Sequence, residues 1–147
     1  MGTLFKPTDR DAILRRLNQL TPDRSPQWGG MNASQMLRHV STALRLGLEE
    51  KAPRPSSGPP SHWPLNWLVI HVIPWPKGVK TAPELLAEKP GQWDSEVQNL
   101  RSLITEFSRQ QHRPSWPENI IFGRISGKSW GALMYRHLDH HLTQFGV

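Results

Sequence analysis

The sequence of 147 residues contains no cysteine. Disulfides, thiolate metal sites and a cysteine nucleophile are therefore excluded, and the fold must depend on packing. A metal site in this chain can only be built from histidine, aspartate or glutamate side chains.

Long apolar runs are also missing. The longest one, WLVIHVIPW at 67–75, is interrupted by Pro74 and is far shorter than the roughly 20 residues that cross a bilayer. The first residues, MGTLFKPTDRDAIL, lack the apolar segment of a secretory signal. These features predict a soluble, cytoplasmic protein with no membrane partner.

Basic runs are absent although the formal net charge is +6. Lysine and arginine are scattered as single residues or pairs, whereas nucleic-acid-binding proteins usually gather them on one face or in one stripe. A solvated basic surface is the favoured interpretation, and a nucleic-acid partner is not expected.

The hydrophobic pattern predicts one all-α domain over residues 1–147. Four segments place apolar residues at helical spacing, and almost no segment alternates as a strand would. We expect an antiparallel four-helix bundle with an extra short helix and long proline-rich loops. The four long helices are expected to begin at Thr8, at Asn32 or Ser34, at about Gln92, and at Ser126 or Ser129. The apolar run at 65–73 could be a short buried helix or a strand, and the absence of a partner strand pattern favours the helix. Loops are expected at 51–64 and 74–91.

The last predicted helix carries three of the seven histidines of the chain within five positions. At about 100° per residue, His137 and His141 fall on the apolar face, one turn apart, with Gln144 beside them. His140 falls at the edge of that face, while Arg136 and Asp139 point toward water. Two imidazoles at this spacing can share one ion, as in the H-E-x-x-H motif. The same pair could instead be a structural hydrogen-bonded pair.

A third ligand would come from the second helix, where His39 lies at the edge of the apolar stripe. The alternative for His39 is a residue at the rim of the core, bonded to a backbone carbonyl. His71 is expected to be a hydrogen-bonded core residue, and His62 and His112 are expected to be exposed, although His62 could also line a pocket.

Two segments, WGGMNASQMLRH and FGRISGKSWGALMYRHLDHHLTQFGV, carry a resemblance to a known superfamily. With a histidine on the second helix and H-x-x-x-H followed by x-x-Q on the last, the chain resembles the DinB/YfiT-like metalloenzymes, and more narrowly a bacterial branch of them. The resemblance runs from Leu14 onward. It implies a four-helix bundle in which His39, His137 and His141 hold a divalent ion, zinc or nickel.

Some members of that superfamily are S-transferases or isomerases that use low-molecular-weight thiols, and others have no known activity. The first hypothesis is accordingly an enzyme, of the S-transferase or hydrolase type, whose ion activates a thiol or water. Gln144 would orient a ligand histidine from outside the coordination sphere, and His140 would line the pocket. Four tryptophans are candidate pocket walls or core residues: Trp63, Trp67, Trp75 and Trp93.

A second hypothesis is a non-catalytic metal-binding or structural bundle that acts as an interaction module, for instance as a homodimer. A third is a basic nucleic-acid binder, whose affinity would fall steeply with salt and would not depend on the histidines.

Metal occupancy should fall as the pH drops below about 6.5, because ligand histidines must be neutral. Retention of the ion well below that pH would instead indicate carboxylate ligands such as Asp94 or Glu96.

Overall fold

The computed structural model describes residues 1–49, 58–78 and 89–147. The described residues form helices and loops, and their only β-type pairing is an isolated bridge between Asn119 and Gly123. The all-α prediction is confirmed. The α-helices are α1 (Pro7–Leu17), α2 (Ala33–Leu48), α3 (Leu65–His71), α4 (Trp93–Arg109) and α5 (Gly127–Gln144), with short 3₁₀ turns at Pro59–Ser61 and Gln110–His112.

Helix α2 begins where the sequence predicts. The Asn32 side chain accepts a hydrogen bond from the Gln35 backbone N–H, and the Gln35 side chain accepts one from the Asn32 backbone N–H. This reciprocal capping box satisfies two backbone donors that a helix start leaves without partners. The start of α5 is fixed similarly, because Ser126 accepts a hydrogen bond from the backbone N–H of Ser129.

The predicted start of α1 at Thr8 is wrong. Pro7 is the first residue of the helix, and Lys6 precedes it without a side-chain cap. Proline suits the first helical position because its ring fixes φ and its missing N–H would have no partner there. The Thr8 hydroxyl instead donates weakly, at 3.4 Å, to Asp9.

Helix α3 is helical as predicted, but it is not buried as predicted. Only Asn66 and Ile70 are buried, whereas the Trp67 side chain is 47% exposed. The reason is that α3 packs mainly through one face, against α5, and its other face meets solvent. The predicted loops at 51–64 and 74–91 lie partly outside the described residues. Their described parts, at 58–64, 74–78 and 89–91, contain no α-helix.

The core lies where α2, α4 and α5 meet. Helix α2 packs extensively on α4 and also contacts α5, while α1 contacts both α4 and α5. Gly47 makes the close approach of α2 possible, since a Cβ there would lie 2.9 Å from the rings of both Phe107 and Trp130. This packing brings one face of α2 against the histidine-bearing face of α5.

Within the three described ranges, no helix combines the length and the apolar character needed to cross a bilayer.

Candidate metal centre

Three histidines from two helices converge at one place in the structure. His39 of α2 is 3% exposed and His141 of α5 is 7% exposed, while His137 is partly buried. One ring nitrogen from each of them can be chosen so that all three lie within 4.8 Å of one another. The structure therefore brings together the three residues that the sequence singles out.

The rings are close enough to interact directly. Nε2 of His39 lies 2.7 Å from Nε2 of His137. The ring centroid of His39 lies 4.7 Å from those of both His137 and His141, and the two α5 rings are 4.9 Å apart. In the absence of an ion, this 2.7 Å contact is a hydrogen bond, so one of the two Nε2 atoms must carry a proton. Two unprotonated nitrogens would direct their lone pairs at each other and repel.

Gln144 determines which nitrogen of His141 faces the cluster. Its Oε1 lies 2.8 Å from Nδ1 of His141, and its Nε2 donates to the backbone carbonyl of Trp28 at 2.6 Å. Because the amide nitrogen is used as a donor, Oε1 must accept, so Nδ1 of His141 carries the proton. Nε2 of His141 is then left with its lone pair available to an ion.

Gly29 leaves room for this hydrogen-bond chain. Its φ is +79°, and a Cβ at this position would lie 2.6 Å from Nε2 of Gln144. A side chain here would meet both an unfavourable backbone conformation and a close contact. Sequence reasoning did not assign a role to Trp28 or Gly29. The WGG tripeptide ahead of α2 is the only signal, and its partner lies at the far end of the chain.

Burial keeps the imidazoles of α5 neutral at physiological pH. Desolvation, followed by the neighbouring charge of His39, lowers the pKa of His141 to about 3. The same causes lower the pKa of His137 well below its usual value. Metal ligation requires neutral imidazole, so these environments hold both side chains in the ligand form.

His140 lies beside the cluster, at the edge of the apolar face, as predicted. Its ring centroid is 5.2 Å from that of His141, 5.9 Å from that of Trp28 and 6.0 Å from that of Trp75. Burial, more than any neighbouring charge, lowers the pKa of His140. It is therefore neutral near pH 7.

The cluster opens into a cavity of about 810 Å³. All four of these histidines and Gln144 line it, together with Trp28 and Trp75. Ligand-binding cavities commonly measure about 300 to 1,000 Å³. Of the four tryptophans predicted as walls or core, Trp75 lines the cavity; among the others, Trp63 and Trp67 are largely exposed and Trp93 packs against the core.

Arg136 does not point toward water, contrary to the prediction. Its guanidinium donates to the backbone carbonyls of Val69, Ile70 and Ile73 at 2.7 to 3.0 Å, at the end of α3. A helix end exposes carbonyls without intrahelical partners, and a cation there is favourable. Asp139 is about half exposed, as predicted, and pairs with Arg16 at 2.5 Å.

Carboxylates do not join the cluster within the described residues. Glu96, one of the two alternative ligands, is 2% exposed and forms an ion pair with Arg38. It also accepts a hydrogen bond from the Gly91 backbone N–H at 2.7 Å. Asp94 is exposed in the first turn of α4.

The remaining histidines lie elsewhere. His62 and His112 are exposed, as predicted. His71 is hydrogen-bonded, as predicted, but only partly buried: its Nε2 lies 3.0 Å from Oγ of Ser129, and its ring stacks on Trp67.

Ser129 is the central residue of GKSWG, which matches the G-x-S-x-G pattern found around the nucleophilic serine of many hydrolases. In hydrolases that serine lies on a turn between a strand and a helix, exposed to substrate. Ser129 instead lies within the first turn of α5, is buried, and bonds to Ser126 as well as to His71. Burial lowers the pKa of His71, and the positive charges of Lys128 and Arg136 lower it further. The contact is a structural link between α3 and α5.

Comparison with models of known protein families, with curated proteins and with solved structures found no match to this chain.

Proposed function

We propose that the chain is a divalent-metal-dependent enzyme of the DinB/YfiT-like type, of the S-transferase or hydrolase kind. The observation that carries this proposal is the convergence of His39, His137 and His141 on the wall of a large cavity. Zinc or nickel is the proposed ion, since imidazole suits both. We further propose that α1, α2, α4 and α5 form an antiparallel four-helix bundle and that the protein acts in the cytoplasm, with a homodimer as its assembly.

The residues present fit such an ion. Three imidazoles, with no fourth protein ligand among the residues that the structure describes, form the donor set typical of a catalytic zinc site, whereas structural sites are usually closed by four protein ligands. A bound ion would supply one chemical effect, lowering the pKa of a water or thiol cosubstrate toward neutrality. Metal ligation requires neutral imidazoles, and burial lowers the pKa values of His137 and His141 so that both are neutral.

Residues around the triad would have separate tasks. Gln144 holds His141 in the tautomer that directs Nε2 into the cluster. His140 lines the cavity as a neutral imidazole, so it can accept a proton from a nucleophile that reaches the triad. The indoles of Trp28 and Trp75 pack against His140, which is partly buried.

Elemental analysis of protein purified without an affinity tag tests the metal site. We expect one zinc or nickel per chain, retained in a His62→Ala, His112→Ala control whose changes lie at exposed positions. A His137→Ala, His141→Ala variant should lose the ion. Stoichiometric metal in this variant would show that the ion is held elsewhere.

The non-catalytic alternative also has one observation in its favour. The 2.7 Å contact between His39 and His137 and the bond from His141 to Gln144 can form without an ion. A structural histidine cluster of this kind would leave the purified wild-type protein free of metal. Its thermal stability would also be unchanged by added zinc, whereas binding to the folded state would raise it.

A further inference from the structure

The cavity beside the triad has predominantly apolar walls. Ala43 and Leu46 of α2, Val69 of α3, and Leu133 and Met134 of α5 all line it. Ala43 follows His39 by one helical turn, so these two side chains lie on the same face of α2. An apolar surface thus extends along α2 directly from the histidine cluster.

Among the described lining residues, paired charges leave the cavity wall close to neutral, although the whole chain has a net charge of +6. The guanidinium of Arg38 is paired with the buried carboxylate of Glu96. The carboxylate of Glu118 lies 3.3 Å from Arg124. Lys89 is the remaining charged residue among the described lining residues, and it is exposed to solvent. In the metal-free protein, the described lining residues other than the exposed Lys89 therefore offer a charged ligand no countercharge that is not already paired. Such a ligand would lose its hydration on entry without compensation.

The indole of Trp75 has its polar atom satisfied within the protein, since Nε1 donates to the Val69 carbonyl at 2.9 Å. The guanidinium of Arg136 lies 5.0 Å from the centroid of this ring, which helps to fix it. A ligand beside Trp75 would therefore contact the ring surface, because the indole N–H is already hydrogen-bonded within the protein. Aromatic and alkyl groups are the natural partners of such a surface.

We propose that this cavity binds a neutral, largely apolar molecule, aromatic or aliphatic, and presents one end of it to His39, His137 and His141. The volume of about 810 Å³ suits a molecule of drug-like size. The inference rests on the proposed function for what happens at the histidine end. Binding of the apolar body depends on the cavity walls alone and needs no ion.

The probe that tests this is N-phenyl-1-naphthylamine, a neutral fluorophore whose emission rises in apolar surroundings. We expect saturable binding of one probe per chain. Ala43→Phe and Leu46→Phe each add a ring inside the cavity and should each weaken binding about tenfold or more, because filled space no longer accepts the probe. Two variants are used because Ala43 is buried more tightly and its variant could be less stable.

Val72→Phe is the matched control. It adds apolar surface at a position that is 57% exposed and outside the cavity, so probe affinity should not change. Equal affinity in wild type, in both cavity-filling variants and in the control would overturn the proposal, since binding would then occur at exposed apolar residues such as those of α3.

A charged analogue tests the neutral character of the ligand. 8-Anilinonaphthalene-1-sulfonate has the same ring system plus one sulfonate. In the presence of a chelator, so that no ion is bound, it should bind about tenfold more weakly or worse, because the anion must be desolvated. Equal or tighter binding of the sulfonate would overturn the assignment of a neutral ligand.

Failure of the metal site gives a different pattern. The His137→Ala, His141→Ala variant should still bind the neutral probe while holding no metal. In wild type loaded with Co²⁺, the paramagnetic ion should quench the emission of the bound probe relative to the Zn²⁺ form, and this difference should vanish in the double variant. Stoichiometric Co²⁺ without quenching would place the probe away from the triad and contradict the proposal.

Discussion

The stability of the metal-free protein should fall as the pH is lowered from 7 to 5, because two imidazoles of α5 resist protonation in the folded state. Burial lowers the pKa of His141 to about 3 and that of His137 well below its usual value. In the unfolded chain both titrate near the ordinary value of about 6.5. Between these limits the unfolded state binds the additional protons, so stability decreases as pH falls.

The magnitude follows from the depth of the shift. Where the pH lies well below the unfolded pKa and above the folded pKa, each unit by which the pH is lowered reduces the free energy of unfolding by about 1.4 kcal/mol per imidazole. From pH 7 to pH 5, His141 alone therefore lowers the free energy of unfolding by about 2 kcal/mol, and His137 adds a loss of the same sign. Small domains have a total stability of only about 5 to 15 kcal/mol, so the loss is large enough to measure.

Urea unfolding at pH 5, 6 and 7 in the presence of a chelator measures this effect. Replacing His141 with glutamine removes one titrating group and should reduce the loss of stability between pH 7 and pH 5 by about 2 kcal/mol. His112→Gln, at an exposed position, should leave the dependence as it is in wild type. If wild type and His141→Gln lose stability in parallel, His141 is not held neutral by burial.

Three further predictions concern the surroundings of the triad. Gln144→Leu removes the acceptor for His141 and should weaken zinc binding about 10- to 100-fold in a chelator competition, while Gln144→Glu retains an acceptor and should lose much less. Gly29→Ala and Gly78→Ala both place alanine at a φ of +79°, each costing about 1 to 2 kcal/mol of unfolding free energy. Only Gly29→Ala should also weaken zinc binding, because its Cβ alone meets Gln144; equal zinc affinity in the two variants would contradict this. Glu96→Leu removes one partner of a buried ion pair and should lower the free energy of unfolding, measured in urea, by about 3 to 5 kcal/mol. A loss below about 1 kcal/mol would contradict this, because it is the value typical of solvent-exposed ion pairs.

Features determined by neighbours along the chain could be predicted from the sequence. The start of α2 follows from Asn32 and Gln35, three residues apart, and the inward direction of His137 and His141 follows from the apolar residues around them on α5. Capping and helical periodicity act over one or two turns, so a single sequence contains the information they need.

Contacts between distant segments could not be predicted in this way. The periodicity of α5 assigns Arg136 to solvent, yet the end of α3 lies beside it and supplies three carbonyls. Gln144 and Trp28 are 116 positions apart, so no local pattern reveals their hydrogen bond. The WGGMN segment can be recognised in the sequence, but the reason for its glycine cannot. The positive φ of Gly29 explains why a glycine is suited to that position.

The distribution of the triad over two helices links the site to folding. His137 and His141 are neighbours in any helical form of the last segment, but His39 reaches them only when α2 packs on α5. An ion held by all three would therefore bind the folded chain far better than the unfolded one, and its binding free energy would add to stability. The same packing closes one wall of the cavity, since Ala43 and Leu46 are carried by α2. A change that loosens α2 from α5 should consequently weaken metal binding and apolar-ligand binding together, whereas changes at the histidines alone should separate them.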